Sequence, residues 1–325
     1  MTDRTPRLSV VLPTPFDFAS IAATVRHLVR QTIARDIELV IVAMGRTDMA
    51  IDREACRSLG DTRVVTSGRR SHGEACAAGV RAARGPVVVF AEDHCFPEPR
   101  WAESLLAGYS AESIAAVGPV FRNANPGTMV SWCDFAIGYG PWIDPVPGGD
   151  QPFIAGHNSS YRREVLMALD DRLEDLLESE TVLHFELRAS GRRVVVEPAA
   201  RAAHVNFGRL GLWMPVQFHS GRVFAAERAR GWGRGRRLFY GCASPLIPLV
   251  RCARAIGHLR RPGLVRPGLA RLVPLLLVGL TADGVGQLVG YLAGAGGSPG
   301  VLTGFEFGRV NFVPAEERAL WAEQP

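Results

Sequence analysis

Short apolar runs, rich in β-branched residues, recur through the first 90 residues, and polar or turn-forming residues end each of them. They are residues 8–12 (LSVVL), 37–43 (IELVIVA) and 87–90 (VVVF). Runs of this length without alternation are typical of strands that are buried on both faces, as in a parallel sheet. Between the first two runs, apolar side chains recur at helical spacing from Ile21 to Val29. The pattern predicts β-α-β units and therefore an α/β fold.

The strand predicted at 87–90 runs directly into Glu92, Asp93 and His94. In open α/β sheets, ligands bind at the carboxyl ends of the strands, so this placement favours a binding site. The alternative is that the acids only cap a helix or lie in solvent at the start of a loop.

The second half of the chain contains a stretch with few structural signals, followed by ordered segments. Residues 123–155 are rich in Asn, Pro, Gly and Trp and show little periodicity, which predicts a long functional loop region. Further on, a helix is predicted from Glu180 to Ser190, and the strand 194–196 follows it. Glu180 stands in the first turn of this helix, where the helix dipole favours an acid.

Composition excludes several classes of protein and indicates a compartment. With 325 residues, 47% hydrophobic and 21% charged, the chain is neither disordered, collagen-like nor a multi-span transporter. The six cysteines form no CxxC pair, which favours reduced thiols in the cytoplasm. The apolar run before Pro13 is too short for the core of a signal peptide, so the sequence predicts a cytoplasmic protein.

The C-terminal third is basic and apolar. Residues 222–271 hold twelve arginines against one acid, Glu227, and proline-broken apolar segments lie within and after this stretch. The run 272–282 is shorter than the ~20 residues that span a bilayer, and an extension to Ala295 would bury Asp283. We therefore expect an interfacial or half-inserted segment and a peripheral position on the inner face of the cell membrane, where anionic lipids attract arginine. The sequence has no signature of a nucleic-acid-binding fold, so we expect no nucleic-acid partner.

Four segments, in this order, resemble the inverting GT-A glycosyltransferases of family 2. They are LSVVLPTP, IELVIVAMGRTD, GPVVVFAEDHCFPEPRW, and GHNSSYRREVL followed by ESETVLHFELRASGRRVVVEPAARAAH. The resemblance implies a Rossmann-like mixed sheet flanked by helices, here with an α-helical basic and apolar tail. It also implies sugar transfer from a nucleotide diphosphate donor to a hydroxyl of a lipid-linked or saccharide acceptor, in cell-surface polysaccharide or glycolipid synthesis.

The same resemblance divides the chain and assigns residues. Residues 1–120 would bind the nucleotide sugar, 121–220 would bind the acceptor and carry catalysis, and 221–325 would associate with the membrane. Glu180 matches the catalytic base, which takes the proton of the acceptor hydroxyl. The residues assigned to the donor and its diphosphate are Pro13, Thr14, Glu92, Asp93 and Asn158. The residues assigned to a divalent metal, Mn²⁺ or Mg²⁺, are Asp93, His94 and His204.

Three positions depart from the family pattern. Ala43 stands where the family has an Asp that holds the nucleoside, His94 replaces an acid, and Ser179 replaces the first acid of the pair that ends in Glu180. The alternative hypothesis is therefore a catalytically silent protein that binds nucleotide or serves as a membrane scaffold. Arg69 and Arg70 either receive phosphate or form an exposed basic pair.

Overall fold

The computed structural model describes residues 5–68, 71–314 and 316–318. The chain forms two compact units. Unit 1 comprises the residues up to Arg122 together with Asp144–His204, and unit 2 comprises Asn123–Ile143 together with the residues from Val205 onward. The predicted functional boundaries at 120 and 220 stay predictions.

The sheet is mixed, as the sequence predicts. Its strands are β1 (Leu8–Thr14), β2 (Ile37–Met44), β3 (Asp61–Ser67), β4 (Val87–Phe90), β5 (Cys95–Pro97), β6 (Ile114–Asn123), β7 (Gly149–Asp150), β8 (Ser160–Arg162) and β9 (Arg193–His204). The strand order is β3-β2-β1-β4-β8-β6-β9-β5, and β7 pairs with β9. Strands β1 to β4 pair in parallel, whereas β8 runs antiparallel to β4 and β6. The α/β prediction and the predicted strands at 8–12, 37–43 and 87–90 are confirmed.

The helices of unit 1 flank this sheet. They are α1 (Phe18–Leu28), α2 (His72–Ala82), α3 (Trp101–Ala107), α5 (Arg163–Met167), α6 (Leu173–Glu178) and α7 (Glu180–Ala189). The helices of unit 2 are α4 (Met129–Tyr139), α8 (Leu210–Arg228), α9 (Arg234–Ala243), α10 (Ile247–Leu259), α11 (Leu269–Ala293) and α12 (Ser298–Glu306). Helix α2 begins at a capped end, because the Ser71 hydroxyl accepts the Glu74 N–H at 3.1 Å. The helix lies tightly on β1, since a Cβ on Gly79 would overlap the Val11 side chain.

The prediction of a loop region over 123–155 is wrong for part of its length, because α4 lies inside it. The Thr128 side chain caps this helix by accepting the Ser131 N–H at 3.1 Å. Its sequence, MVSWCDFAIGY, is apolar around much of its circumference, so it shows little of the 3.6-residue periodicity that reveals an amphipathic helix.

The core of unit 2 is the close pairing of α8 and α11. A Cβ on Gly221, Gly286 or Gly290 would overlap the backbone of the other helix, so glycine is required for this approach. In the middle of α11, buried Asp283 pairs with Arg251 at 2.6 Å. Among the described residues, α11 is the one helix long and apolar enough to cross a membrane, and 44% of its most apolar window is buried within the protein. A core helix of a globular unit has the same properties, so the interfacial or half-inserted segment stays a prediction.

Candidate active site

The site lies at the carboxyl edge of β1 and β4. The Ala91 N–H donates to the Val11 carbonyl at 2.8 Å, which continues the strand pairing up to Glu92. Asn158 has a left-handed backbone with φ of 61°, a conformation that asparagine adopts more readily than most residues. Its side-chain amide donates to Glu92 Oε2 at 2.7 Å. Asn158 therefore holds the Glu92 carboxylate in position.

Glu92, His94 and His204 form a buried cluster. Glu92 Oε1 lies 3.5 Å from His94 Nε2, and Glu92 Oε2 lies 3.8 Å from His204 Nε2. The two imidazole rings meet edge to face, with centroids 4.9 Å apart. Strand pairing explains the arrangement, because Cys95 in β5 is the register partner of His204, the last residue of β9. Residues more than 100 positions apart in the sequence are thus brought together.

Asp93 faces the other side of His94. Its Oδ1 lies 2.7 Å from His94 Nδ1, and both side chains are buried. A carboxylate on the second ring nitrogen is the usual partner that orients a ligating histidine. Asp93 thus orients His94 in this structure, and its predicted role as a direct metal ligand stays a prediction.

The donor set of this cluster fits a divalent cation. One ligand atom each from Glu92, His94 and His204 lie within 4.8 Å of one another. A carboxylate with two imidazoles suits transition metals, whereas Mg²⁺ favours oxygen ligands. The structure therefore brings together His94 and His204, two of the three predicted metal residues, and adds Glu92, which the sequence assigned to the diphosphate.

Glu180, the predicted base, lies on the same side of unit 1. It begins α7, and its side chain is 19% exposed. A Cβ on Gly156 would overlap the Glu180 carboxylate, so the two chain segments touch here. Between Glu180 and the buried cluster lies His157, with Nδ1 3.5 Å from Glu92 Oε1 and Nε2 3.8 Å from Glu180 Oε1. Sequence reasoning missed His157, although it immediately precedes Asn158 in the GHN segment.

Two neighbours of Glu180 serve the fold. Glu178 accepts the Gly73 N–H at 2.7 Å and thereby binds the start of α2. His184 packs in the core, where its Nε2 lies 2.8 Å from the Tyr161 hydroxyl. Burial lowers the pKa of His184 to about 4, so the imidazole is neutral at physiological pH.

Pro13 and Thr14 end β1 at the same edge and are buried. The Thr14 hydroxyl lies 3.1 Å from the Ser20 hydroxyl and accepts the Phe16 N–H at 3.1 Å, so it shapes the turn after the strand. The donor-binding roles of Pro13 and Thr14 stay predictions. Arg69 and Arg70 lie outside the described residues.

Comparison with known proteins assigns the family. The family described as glycosyl transferase family 2 matches residues 9–170, a segment that contains β1 to β4, the acidic turn and Asn158. The chain belongs to glycosyl transferase family 2. By that membership it is a glycosyltransferase, and the resemblance of its four sequence segments to this family is confirmed.

Solved structures with similar folds include two glycosyltransferases. GalNAc-T7, crystallised with UDP, GalNAc and Mn²⁺, is 16% identical over 61% of this chain and 43% of its own chain, with a TM-score of 0.46. The mannosyltransferase PcManGT from Pyrobaculum calidifontis, in complex with GDP-Man and Mn²⁺, is 18% identical over 98% of this chain and 85% of its own, with a TM-score of 0.46. A mycobacterial protein is 20% identical over 63% of this chain and 68% of its own, with a TM-score of 0.42. The chain thus spans less than half of GalNAc-T7. Among curated proteins, none matches the sequence.

Proposed function

We propose that the protein transfers a sugar from a nucleotide diphosphate donor to an acceptor hydroxyl, with inversion at the anomeric carbon. Family membership supports glycosyl transfer, and one geometric observation carries the rest. The Glu180 carboxylate lies across His157 from the buried cluster of Glu92, His94 and His204. Direct displacement needs a base on the face opposite the leaving group, and Glu180 and the cluster are separate groups on either side of one imidazole.

In this mechanism the residues have distinct tasks. Asn158 and Asp93 hold Glu92 and His94 in place through hydrogen bonds of 2.7 Å each. Glu92, His94 and His204 would hold a divalent cation, and the two imidazoles favour Mn²⁺ over Mg²⁺. Such a cation would offset the negative charge that develops on the departing diphosphate. Glu180 accepts the proton of the acceptor hydroxyl as the new bond forms.

Calorimetric titration of UDP-, GDP- and dTDP-linked sugars, with Mn²⁺ and then with EDTA, tests the donor site. We expect one donor to bind in a metal-dependent manner and Asp93→Asn to weaken that binding. Glu180→Gln is expected to bind the donor as the wild type does and to lose turnover by about 100- to 10,000-fold, the usual contribution of a general base. If no donor binds under any condition, the catalytically silent scaffold becomes the better hypothesis.

We also propose that unit 2 binds an anionic membrane surface from the cytoplasmic side, where a lipid-linked or cell-surface saccharide acceptor would be found. The supporting observation is a patch of exposed apolar side chains within residues 238–250. The exposed fractions are 57% for Leu238, 69% for Phe239, 61% for Leu246, 63% for Leu249 and 49% for Val250. Exposed Arg234 and Arg236 lie on α9 with Leu238 and Phe239, and exposed Arg254 lies on α10 with Leu249 and Val250. Apolar side chains beside arginines are the combination that binds anionic lipid surfaces.

Sedimentation with vesicles tests this second proposal. The protein is expected to bind vesicles that contain phosphatidylglycerol and to remain in solution with phosphatidylcholine alone. The double variant Phe239→Ala, Leu249→Ala should lose binding, whereas Val301→Ala, an exposed apolar residue on α12, should keep it. Equal binding by all three proteins would show that residues 238–250 are not the docking patch.

A further inference from the structure

A second group of metal-ligating side chains lies on the other side of His157. One ligand atom each from His72, His157 and Glu180 lie within 4.8 Å of one another. The three residues come from the start of α2, the loop before β8 and the start of α7. The rings of His72 and His157 have centroids 5.1 Å apart and planes inclined at 61°. This group shares no residue with the cluster of Glu92, His94 and His204.

We infer that His72, His157 and Glu180 form a second cation site, selective for Zn²⁺, whose occupation inhibits the enzyme by engaging the Glu180 carboxylate. The binding of Zn²⁺ stands on the geometry alone. The inhibition rests on the proposed function, in which Glu180 must accept a proton.

The chemistry of the three donors favours zinc. Zn²⁺ accepts two imidazoles and one carboxylate in a tetrahedral arrangement and leaves the fourth position to water. With metal–ligand bonds of 2.0–2.2 Å, neighbouring ligand atoms in such a site lie ~3.4 Å apart. The present distance of 3.8 Å between His157 Nε2 and Glu180 Oε1 therefore needs only a small adjustment of the side chains.

Two further features suit an accessible zinc site. Cys76 Sγ lies 3.2 Å from His72 Nε2 and one helical turn further along α2, so it fixes the orientation of the His72 ring. The side chains of His157 and Glu180 are 28% and 19% exposed, which gives an ion from solvent a path to the site. The cluster of Glu92, His94 and His204 is buried more deeply.

Titration of ZnCl₂ into the metal-free full-length chain tests the binding, without donor or acceptor. The variant His94→Ala disables the buried cluster, and we expect it to keep one Zn²⁺ site. Addition of His72→Ala to that variant should weaken the remaining Zn²⁺ affinity by at least about 100-fold. Loss of a residue that only orients a metal ligand already weakens metal binding by about 10- to 100-fold, and His72 would be a ligand itself. His27→Ala, a half-buried histidine of α1 outside both groups, is the matched control and should change nothing. Circular dichroism confirms that each variant is folded.

Two results would overturn the inference: His94→Ala binds no Zn²⁺, or its Zn²⁺ affinity is the same with and without His72. The inhibition is measured as the fraction of transfer activity lost on addition of Zn²⁺ in excess Mn²⁺, within each protein. We expect a large loss in the wild type and little loss in His72→Ala. If Zn²⁺ binds as expected but no donor supports transfer, the proposed function fails and the zinc site stands. If transfer is observed and Zn²⁺ inhibits His72→Ala as strongly as the wild type, the inhibitory role is refuted.

Discussion

A substitution at Gly156 tests the catalytic role of Glu180 without disturbing the fold, because Gly156 touches the Glu180 carboxylate. A Cβ at position 156 would overlap the carboxyl carbon and both carboxylate oxygens of Glu180. The backbone of Gly156 is not among the left-handed glycines, so alanine fits its conformation. The overlapping atoms belong to the end of a flexible side chain that can move away. Gly156→Ala is therefore expected to fold normally and to displace the predicted base.

The distance that the Glu180 carboxyl group must move determines the expected loss in kcat. The carboxyl group must retreat by about 1.5 Å before it reaches the ~3.5 Å separation of atoms in van der Waals contact. A misplacement of about 1 Å in a catalytic group lowers the rate on the order of 100-fold, which corresponds to about 2.7 kcal/mol in the activation free energy. We expect this loss in kcat, with the affinity for the nucleotide sugar unchanged, because the buried cluster of Glu92, His94 and His204 is not touched.

The assay compares the release of nucleoside diphosphate by Gly156→Ala, the wild type and Gly138→Ala. A Cβ at Gly138 in α4 would meet nothing within 4 Å, so this variant reports the general effect of alanine at a glycine. Thermal unfolding should give nearly the same midpoint for Gly156→Ala and the wild type, and an equal or slightly higher midpoint for Gly138→Ala, because alanine favours a helix more than glycine does. If Gly156→Ala keeps its kcat within threefold of the wild type while folded, Glu180 is not the base or does not need its present position.

Three further predictions follow from other parts of the structure. EDTA should weaken donor binding in the wild type and have no further effect on His204→Ala, as measured by calorimetry with and without Mn²⁺. His184 has a folded pKa of about 4, below its unfolded value of 6.5, so the unfolded state takes up the proton first and stability falls as the pH drops through this window. At about 1.36 kcal/mol per unit, urea unfolding should show about 3 kcal/mol lost between pH 6.5 and 4 that His184→Gln does not lose. Arg251→Met should lower the free energy of unfolding by about 2 kcal/mol, because the buried Asp283 carboxylate loses a charge-assisted hydrogen bond, and Asp283→Asn in the same background should restore part of it.

Three of the four parallel strands, β1, β2 and β4, are predictable from the sequence because they are buried on both faces. Residues 8–12, 37–43 and 87–90 are apolar apart from Ser9 and Glu38, and burial on both sides favours this composition. Helix α4 was not predicted, because its sequence lacks the periodicity of an amphipathic helix. It is apolar on most sides, so no polar face marks its period, and its aromatic and glycine residues resemble a loop.

For the site, too, the sequence predicts some features and misses others. The sequence placed Glu92, Asp93, His94 and Glu180 correctly at the ends or starts of elements, because local patterns determine where an element begins. The partners of these residues depend on strand pairing over long distances. The register of β5 with β9 sets His204 beside His94, and no local pattern specifies that register. For the same reason the sequence assigned the metal to Asp93, whereas the acid that faces the two histidines in the structure is Glu92.

The structure shows the surroundings of two of the three positions that depart from the family pattern, His94 and Ser179. His94 replaces an acid, but Asp93 hydrogen-bonds its Nδ1 and Nε2 faces Glu92, so the imidazole is held as a ligating histidine would be. Ser179 replaces the acid before Glu180. The acid one residue earlier, Glu178, does not take over that position, because its carboxylate accepts the Gly73 N–H at the start of α2. A protein that had lost catalysis would have no need to hold a carboxylate against Gly156 or to orient His94 with a buried aspartate. The arrangement of these side chains therefore favours an active glycosyltransferase over a silent scaffold.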